Sequence, residues 1–223
     1  MANRLKTKQR REPLTRDRVI STALRIMDEE GLDSVTMRRV GRELGVEAMS
    51  LYNHVEDKDD ILTGICEHVL AQFRVPEVED WVEAARLGAR EYRRLLREHP
   101  NVITLMTEQK GAFTNPESLR GYEFALEVFH RAGLRGADAV KAFHSFGGYI
   151  LGSVMFEQGL TTDDAHDAHA HEAMAGLVGA ADLPRLWEAL PHLLECDDDE
   201  QFEFGLDLLI EGLRARAAAA SQG

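Results

Sequence analysis

The sequence predicts an all-helical protein, and three observations lead there. Helix formers dominate a chain of 223 residues that holds only 6 prolines, so few positions interrupt a helix. Apolar residues return every three or four positions, as Ile20, Ala23, Leu24 and Met27 do, and so line one face of a helix. Such stretches are bracketed by residues that start and stop helices, Thr15 before the first and Gly31 after it. The length allows one large or two small domains with a sizeable core, and no internal repeat is present.

Residues 1–14 carry Arg4, Lys6, Lys8, Arg10 and Arg11 without apolar periodicity and read as a flexible basic arm. Such an arm serves either as a solubilising tail or as a contact to phosphate or a minor groove. Thr15 caps the first helix, with Asp17 in its first turn, and Leu32 and Val35 anchor the connection that follows. Thr36 caps a second helix, whose N-terminal amides suit an anion. Val40 and Leu44 share one face of it, and Gly45 stops it in the left-handed conformation. Val46 bridges to a third, short helix anchored by Leu51. Asp57 caps a fourth helix that buries Ile61, Leu62, Ile65, Val69 and Phe73. Lys58 sets a cation against the dipole at its start, a local conflict that a phosphate contact would resolve.

Pro76 and the acidic run from Glu77 to Asp80 mark a boundary. It separates a head, residues 15–75, from a body, residues 76–223. In the body, helices are expected over 81–97, 101–108, 116–132, 137–158, 183–194 and 199–218, with Gly133 and Gly159 as stops. The Asp-, His- and Ala-rich residues 160–182 show no strong stripe and read as a connection. The last helix has one stripe of Phe202, Leu206, Leu209, Ile210 and Leu213 and a second face with Phe204 and Leu208. A helix apolar on two faces needs two partners. Helix 137–158 is similar, with Phe143, Phe146, Ile150 and Val154 spread widely and Ser145, Gly148 and Gly152 small enough to let another backbone approach. These two helices and their symmetry mates are expected to form the four-helix interface of a homodimer, through Phe146, Gly148, Gly152, Leu206, Leu209 and Leu213. A thick monomer core is the alternative.

Charge is distributed unevenly. Residues 1–60 hold 12 Lys/Arg against 12 Asp/Glu, so the other 163 residues account for the whole net charge of -13. An acidic body is repelled by nucleic acid, while the first 18 residues, with 7 basic and 2 acidic side chains, are attracted to it. Cys66 and Cys196 are far apart with no metal-type spacing, which fits a reducing cytoplasm. The charged N-terminus lacks a signal peptide, and the most apolar stretch, 146–156, is too short to span a bilayer, so no membrane association is expected. No nucleophile elbow, Gly-rich phosphate loop or metal triad is present; no enzyme activity, catalytic residue, metal or cofactor is expected. His166, His169 and His171, with Asp163, Asp164 and Asp167, are the one metal candidate, yet no two histidines there stand at i, i+4; a solvated loop is the preferred reading.

The surface of the second and third helices points to duplex DNA. Ala48, Ser50, Tyr52, Asn53 and His54 are small or hydrogen-bonding and none is acidic, so this helix can enter a major groove. Arg38 offers bidentate recognition of guanine, and Arg38 and Ala48 are the expected base readers. Thr36, Ser50, Tyr52, His54 and Lys58 are the expected phosphate contacts. The stretch Val35-Thr36-Met37-Arg38-Arg39-Val40, Leu44-Gly45-Val46, Ser50-Leu51-Tyr52-Asn53-His54-Val55 and Lys58 resembles the helix-turn-helix of the tetracycline-repressor (TetR) family. The C-terminal stretch from Phe202 to Leu213, residues 144–158 and residues 81–99 resemble the ligand-binding body of that family's tetracycline-binding members.

The resemblance implies an effector-released homodimeric repressor of a palindromic double-stranded operator. A metal-dependent enzyme, or a ligand carrier with a non-functional head, are the alternatives. The tetracycline-binding members hold the drug with magnesium, using an asparagine on the fifth helix and a histidine on the sixth. Here Gly88 stands at the fifth-helix position, the sixth helix has no histidine, and Phe156 stands near the position of the partner chain's metal-facing acid. The expected effector is therefore a largely apolar small molecule, with Tyr92, Met106, Tyr122 and Phe143 as pocket walls or plain core.

Overall fold

The computed structural model describes residues 13–108, 115–158, 183–193 and 197–220. Every regular element among them is helical: α1 (Arg16–Glu30), a 3₁₀ turn (Leu32–Ser34), α2 (Met37–Leu44), α3 (Ala48–Leu51), α4 (Lys58–Leu70), α5 (Trp81–Glu98), α6 (Pro100–Glu108), a 3₁₀ turn (Pro116–Leu119), α7 (Arg120–Arg131), α8 (Gly136–Glu157), α9 (Pro184–Leu193) and α10 (Asp198–Ala220). The chain forms two compact units, Met1–His68 and Val69–Gly223. The division falls inside α4, whereas composition placed the boundary at residue 76. The His-rich segment, the basic arm and Cys196 lie outside the described residues.

In the first unit the expected caps close the helices. Thr15 Oγ1 accepts from the Arg18 N–H and Thr36 Oγ1 from the Arg39 N–H, at 3.3 and 3.1 Å. Asp57 accepts from the Asp60 N–H at 2.9 Å. Val19, Ile20, Ala23, Leu24, Ile26 and Met27 of α1 are buried with Val35, Val40, Leu51 and the inward face of α4. Cys66 belongs to that face, and burial pushes its thiol pKa up to about 12, which leaves it an inert packing residue. α4 stops at Leu70, so Phe73 lies beyond the helix, though still buried.

The second unit packs α5, α7, α8 and α10 around a core that includes Ala85, Leu96, Phe129, Phe146, Ile150, Phe202, Leu206 and Ile210. Arg93 of α5 is buried yet saturated: its guanidinium meets Glu157 of α8 and Asp199 of α10 at 2.7 Å each, and lies 4.3 Å over the Phe202 ring. Arg90 forks onto Glu203 at 2.7 and 2.8 Å, and Arg86 pairs with Asp207. Tyr149 of α8 donates to the Phe202 carbonyl at 2.8 Å, over Gly205.

Two expectations change. Residues 116–132 are not one helix: Asn115 caps a separate 3₁₀ turn, accepting from the Glu117 N–H while its carbonyl accepts from the Ser118 hydroxyl, and α7 starts at Arg120. Phe146, Leu206 and Leu213, expected at a dimer interface, are buried in the protomer's own core, with Leu209 packed against it. A side chain already shielded from water has no surface left to bury against a partner. The outward face instead shows Phe204 at 67% exposure, Leu208 at 55% and Phe156 at 76%, beside open Gly148 and Gly152.

Candidate DNA-reading surface and ligand cavity

The turn between α2 and α3 is built on two glycines. Gly45 sits at φ 67°, ψ 34°, the left-handed region. Gly41 has a different task, which local patterning does not reveal. A Cβ there would lie 3.2 Å from the Val46 carbonyl oxygen and 3.3 Å from the backbone of Ala48. The Val46 N–H donates to the Gly41 carbonyl at 2.9 Å, closing the turn on this residue. Gly41 thereby sets how closely α3 approaches α2.

Ion pairs lock the same scaffold. Arg39 bridges Glu30 of α1 and Glu43 of its own helix, and Arg25 joins Glu29 and Glu43. These bonds hold the Glu30 and Glu43 carboxyls below the usual carboxylate range. Arg16 forks onto Asp60 at 2.7 and 2.5 Å, tying the start of α1 to the start of α4 and depressing the Asp60 pKa. Arg38 differs from these arginines: it is exposed, and among the described residues its side chain makes no hydrogen bond or ion pair.

The other expected DNA contacts lie at the cap of α2, on α3, in the turn after it and at the start of α4. Thr36 is exposed; its oxygen caps α2, which leaves the hydroxyl proton to donate. Ala48 and Ser50 are half-buried on α3, Tyr52 is 49% exposed at its end, and Asn53 and His54 form the turn after it. Lys58 opens α4 beside the Asp57 cap. Sequence reading missed Met49, the middle of α3, which is 72% exposed. The signal was an apolar residue between two outward-facing ones.

The second unit encloses a cavity of about 240 Å³. Tyr92, Met106, Tyr122 and Phe143 all line it, and Tyr92, Met106 and Phe143 also pack against the hydrophobic core. Leu70 and Phe73 supply one side, α5 and α7 two more, and α8 the last through Phe143, Phe146, Gly147, Ile150 and Leu151. Gly88 lets the Phe124 ring lie against α5; a Cβ there would come within 2.5 Å of that ring. The Tyr122 and Phe143 rings stand 4.8 Å apart at 36°. Burial raises the Tyr122 phenol pKa, and Tyr92 Oη lies 3.7 Å from Met106 Sδ. Among the described residues no carboxylate lines the space. Among the described residues no group of three His, Cys, Asp or Glu could hold a metal.

Comparison with known proteins agrees with this division. Residues 19–65 match the family of bacterial regulatory proteins, tetR family, and residues 75–217 match the tetracyclin repressor-like, C-terminal domain. The chain is 32% identical to the HTH-type transcriptional repressor DrrR1 of Streptomyces coeruleorubidus, over 92% of this chain and 79% of that protein. Apo ActR from Streptomyces coelicolor is similar with a TM-score of 0.81 at 29% identity, over 94% of this chain and 99% of that one. ActR in complex with actinorhodin gives 0.80 at 28% identity, over 92% and 97%. A helix-turn-helix followed by a second helical unit built around a cavity, each matched by its own family signature, makes this chain a member of the TetR family of transcriptional regulators.

Proposed function

We propose that the chain is a homodimeric repressor that leaves a palindromic operator when a largely apolar effector fills the second-unit cavity. The observation that carries this is the coexistence of an exposed Arg38 on α2, with no side-chain partner among the described residues, and an apolar, aromatic-walled cavity in the other unit. Each subunit places α3, with Asn53 after it, in a major groove; Arg38 and Ala48 read bases, and Thr36, Ser50, Tyr52, His54 and Lys58 contact phosphate and fix position. The exposed face of α8 and α10, with Phe204, Leu208, Gly148, Gly152 and Phe156, meets its symmetry mate. Two heads about 34 Å apart then reach half-sites one helical turn apart.

Release is a linkage effect. α4 runs through the division between the units, and its last residue, Leu70, lines the cavity with Phe73. A ligand that binds better with α4 in a non-operator position lowers DNA affinity by its differential affinity for the two states. ActR, a similar protein, has been captured with actinorhodin, which supports reading this cavity as an effector site. Among the described residues the lining holds no carboxylate, the usual protein ligand of magnesium, which favours an effector held without a metal. Repression from a DNA site places the work in the cytoplasm, and no described helix is long and apolar enough to cross a membrane.

The test is selection of bound sequences from random duplex DNA, followed by a small-molecule screen for release from the selected site. Recovery of an inverted repeat, and its release by an apolar compound, supports the reading. Binding with no sequence preference overturns it.

A further inference from the structure

Four glycines line the cavity, at 88, 121, 147 and 148, and they are not equivalent. At Gly88 and Gly121 a Cβ would meet the Phe124 and Phe73 rings, so those positions are already covered by aromatic side chains. At Gly147 and Gly148 a Cβ would meet no atom of the described residues within 4 Å. Neither has the positive φ that demands glycine. Glycine inside a helix costs roughly 0.5–1 kcal/mol against alanine, so two in succession call for a use that neither backbone conformation nor packing among the described residues supplies.

Their places around α8 separate the two uses. Gly148 is exposed and shares its face with Gly152, four residues on, and with Phe156. Gly147 is half-buried, about 100° round the helix, on the side that carries Phe143, Phe146, Ile150 and Leu151. Each of those positions presents a bulky side chain to the cavity; Gly147 is the gap between them. It lies one turn after Phe143, whose ring is paired with Tyr122.

With the cavity read as the effector site, on which this depends, we infer that Gly147 sets the size limit of the effector. Its missing side chain leaves a flat strip continuing from the Phe143 ring, on which the far end of a planar fused-ring aromatic molecule rests. A leucine there adds four carbons to a space of about 240 Å³ without meeting any protein atom near its Cβ. The cost falls on long ligands and spares short ones.

The experiment uses the full chain and three hydroxylated quinones with two, three and four fused rings: a naphthoquinone, an anthraquinone and a naphthacenequinone. Affinity is read from quenching of intrinsic fluorescence, for the wild type, Gly147→Ala and Gly147→Leu. Gly147→Leu is expected to weaken the three- and four-ring compounds roughly tenfold or more, with the two-ring compound within about twofold, and Gly147→Ala to fall between. If Gly147→Leu fails to fold by circular dichroism, the alanine variant decides, because glycine to alanine favours the helix. Equal affinities across the wild type and the folded variants overturn the size limit and leave the effector site standing. Failure of the wild type to bind any of the three overturns both.

Discussion

Among the arginines of the head, partners decide roles. Arg16, Arg25 and Arg39 are held by carboxylates, while Arg38 has no side-chain partner among the described residues. Replacing Arg38 by alanine should relax preference at one base pair and cost about 1–3 kcal/mol on the selected site. Tyr52→Ala should weaken binding to every sequence alike. Gel shifts on the selected site and on random DNA separate the two, and equal losses on both for Arg38→Ala would remove its reading role. Asp60 supplies a pH signature. Its pKa is depressed in the folded state by the Arg16 hydrogen bonds, so its contribution is fully present above the ordinary aspartate value of about 3.9 and lost as pH falls through the depressed one. Asp60→Asn should lower thermal stability by about 1–2 kcal/mol at neutral pH, with the difference from wild type shrinking in acid. A constant difference down to pH 2 would show that the loss is not electrostatic.

Helices with local signals were readable from the chain. Thr15, Thr36 and Asp57 cap where their side chains suggest, and Gly31 and Gly45 stop the helices before them. Features that depend on a distant partner were not. The last helix has two apolar stripes, and periodicity shows that both exist without showing which faces inward; the contacts of α5 and α8 assign Leu206 inward and Phe204 outward. The four cavity walls were named from residue type and a resemblance, yet the space between them depends on Gly88 accepting the Phe124 ring, a contact between helices. Gly41 is the same kind of case. Gly41→Ala pushes a methyl against backbone that has no rotamer to change, and should destabilise the head by about 1–3 kcal/mol, seen as an earlier loss of helix signal on heating. An unchanged melt would mean that α3 can retreat freely.

At the scale of the molecule, the outward face of α8 and α10 and the inward stripe of α10 predict opposite phenotypes. Phe204→Glu or Leu208→Glu should leave the protomer folded but shift sedimentation toward the monomer, because each charge lands on an exposed apolar position. Leu206→Ala should instead cost about 2–5 kcal/mol of fold stability by opening a hole in the core. If Leu206→Ala dissociates a dimer without lowering the melting temperature, the assignment of faces is reversed.

The glycines at 147, 148 and 152 reach further than binding. Together they deprive α8 of roughly 0.5–1 kcal/mol apiece of helix preference, and among the described residues no atom lies within 4 Å of where their Cβ atoms would stand. A molecule that fills the cavity adds about 2.7 kcal/mol of stability when present at a hundred times its dissociation constant. Inside a cell, differences of this size change how fast proteases clear a chain. The regulator should therefore outlive its empty form whenever the cavity is filled, and a pulse-chase with and without a filling compound would show the longer half-life.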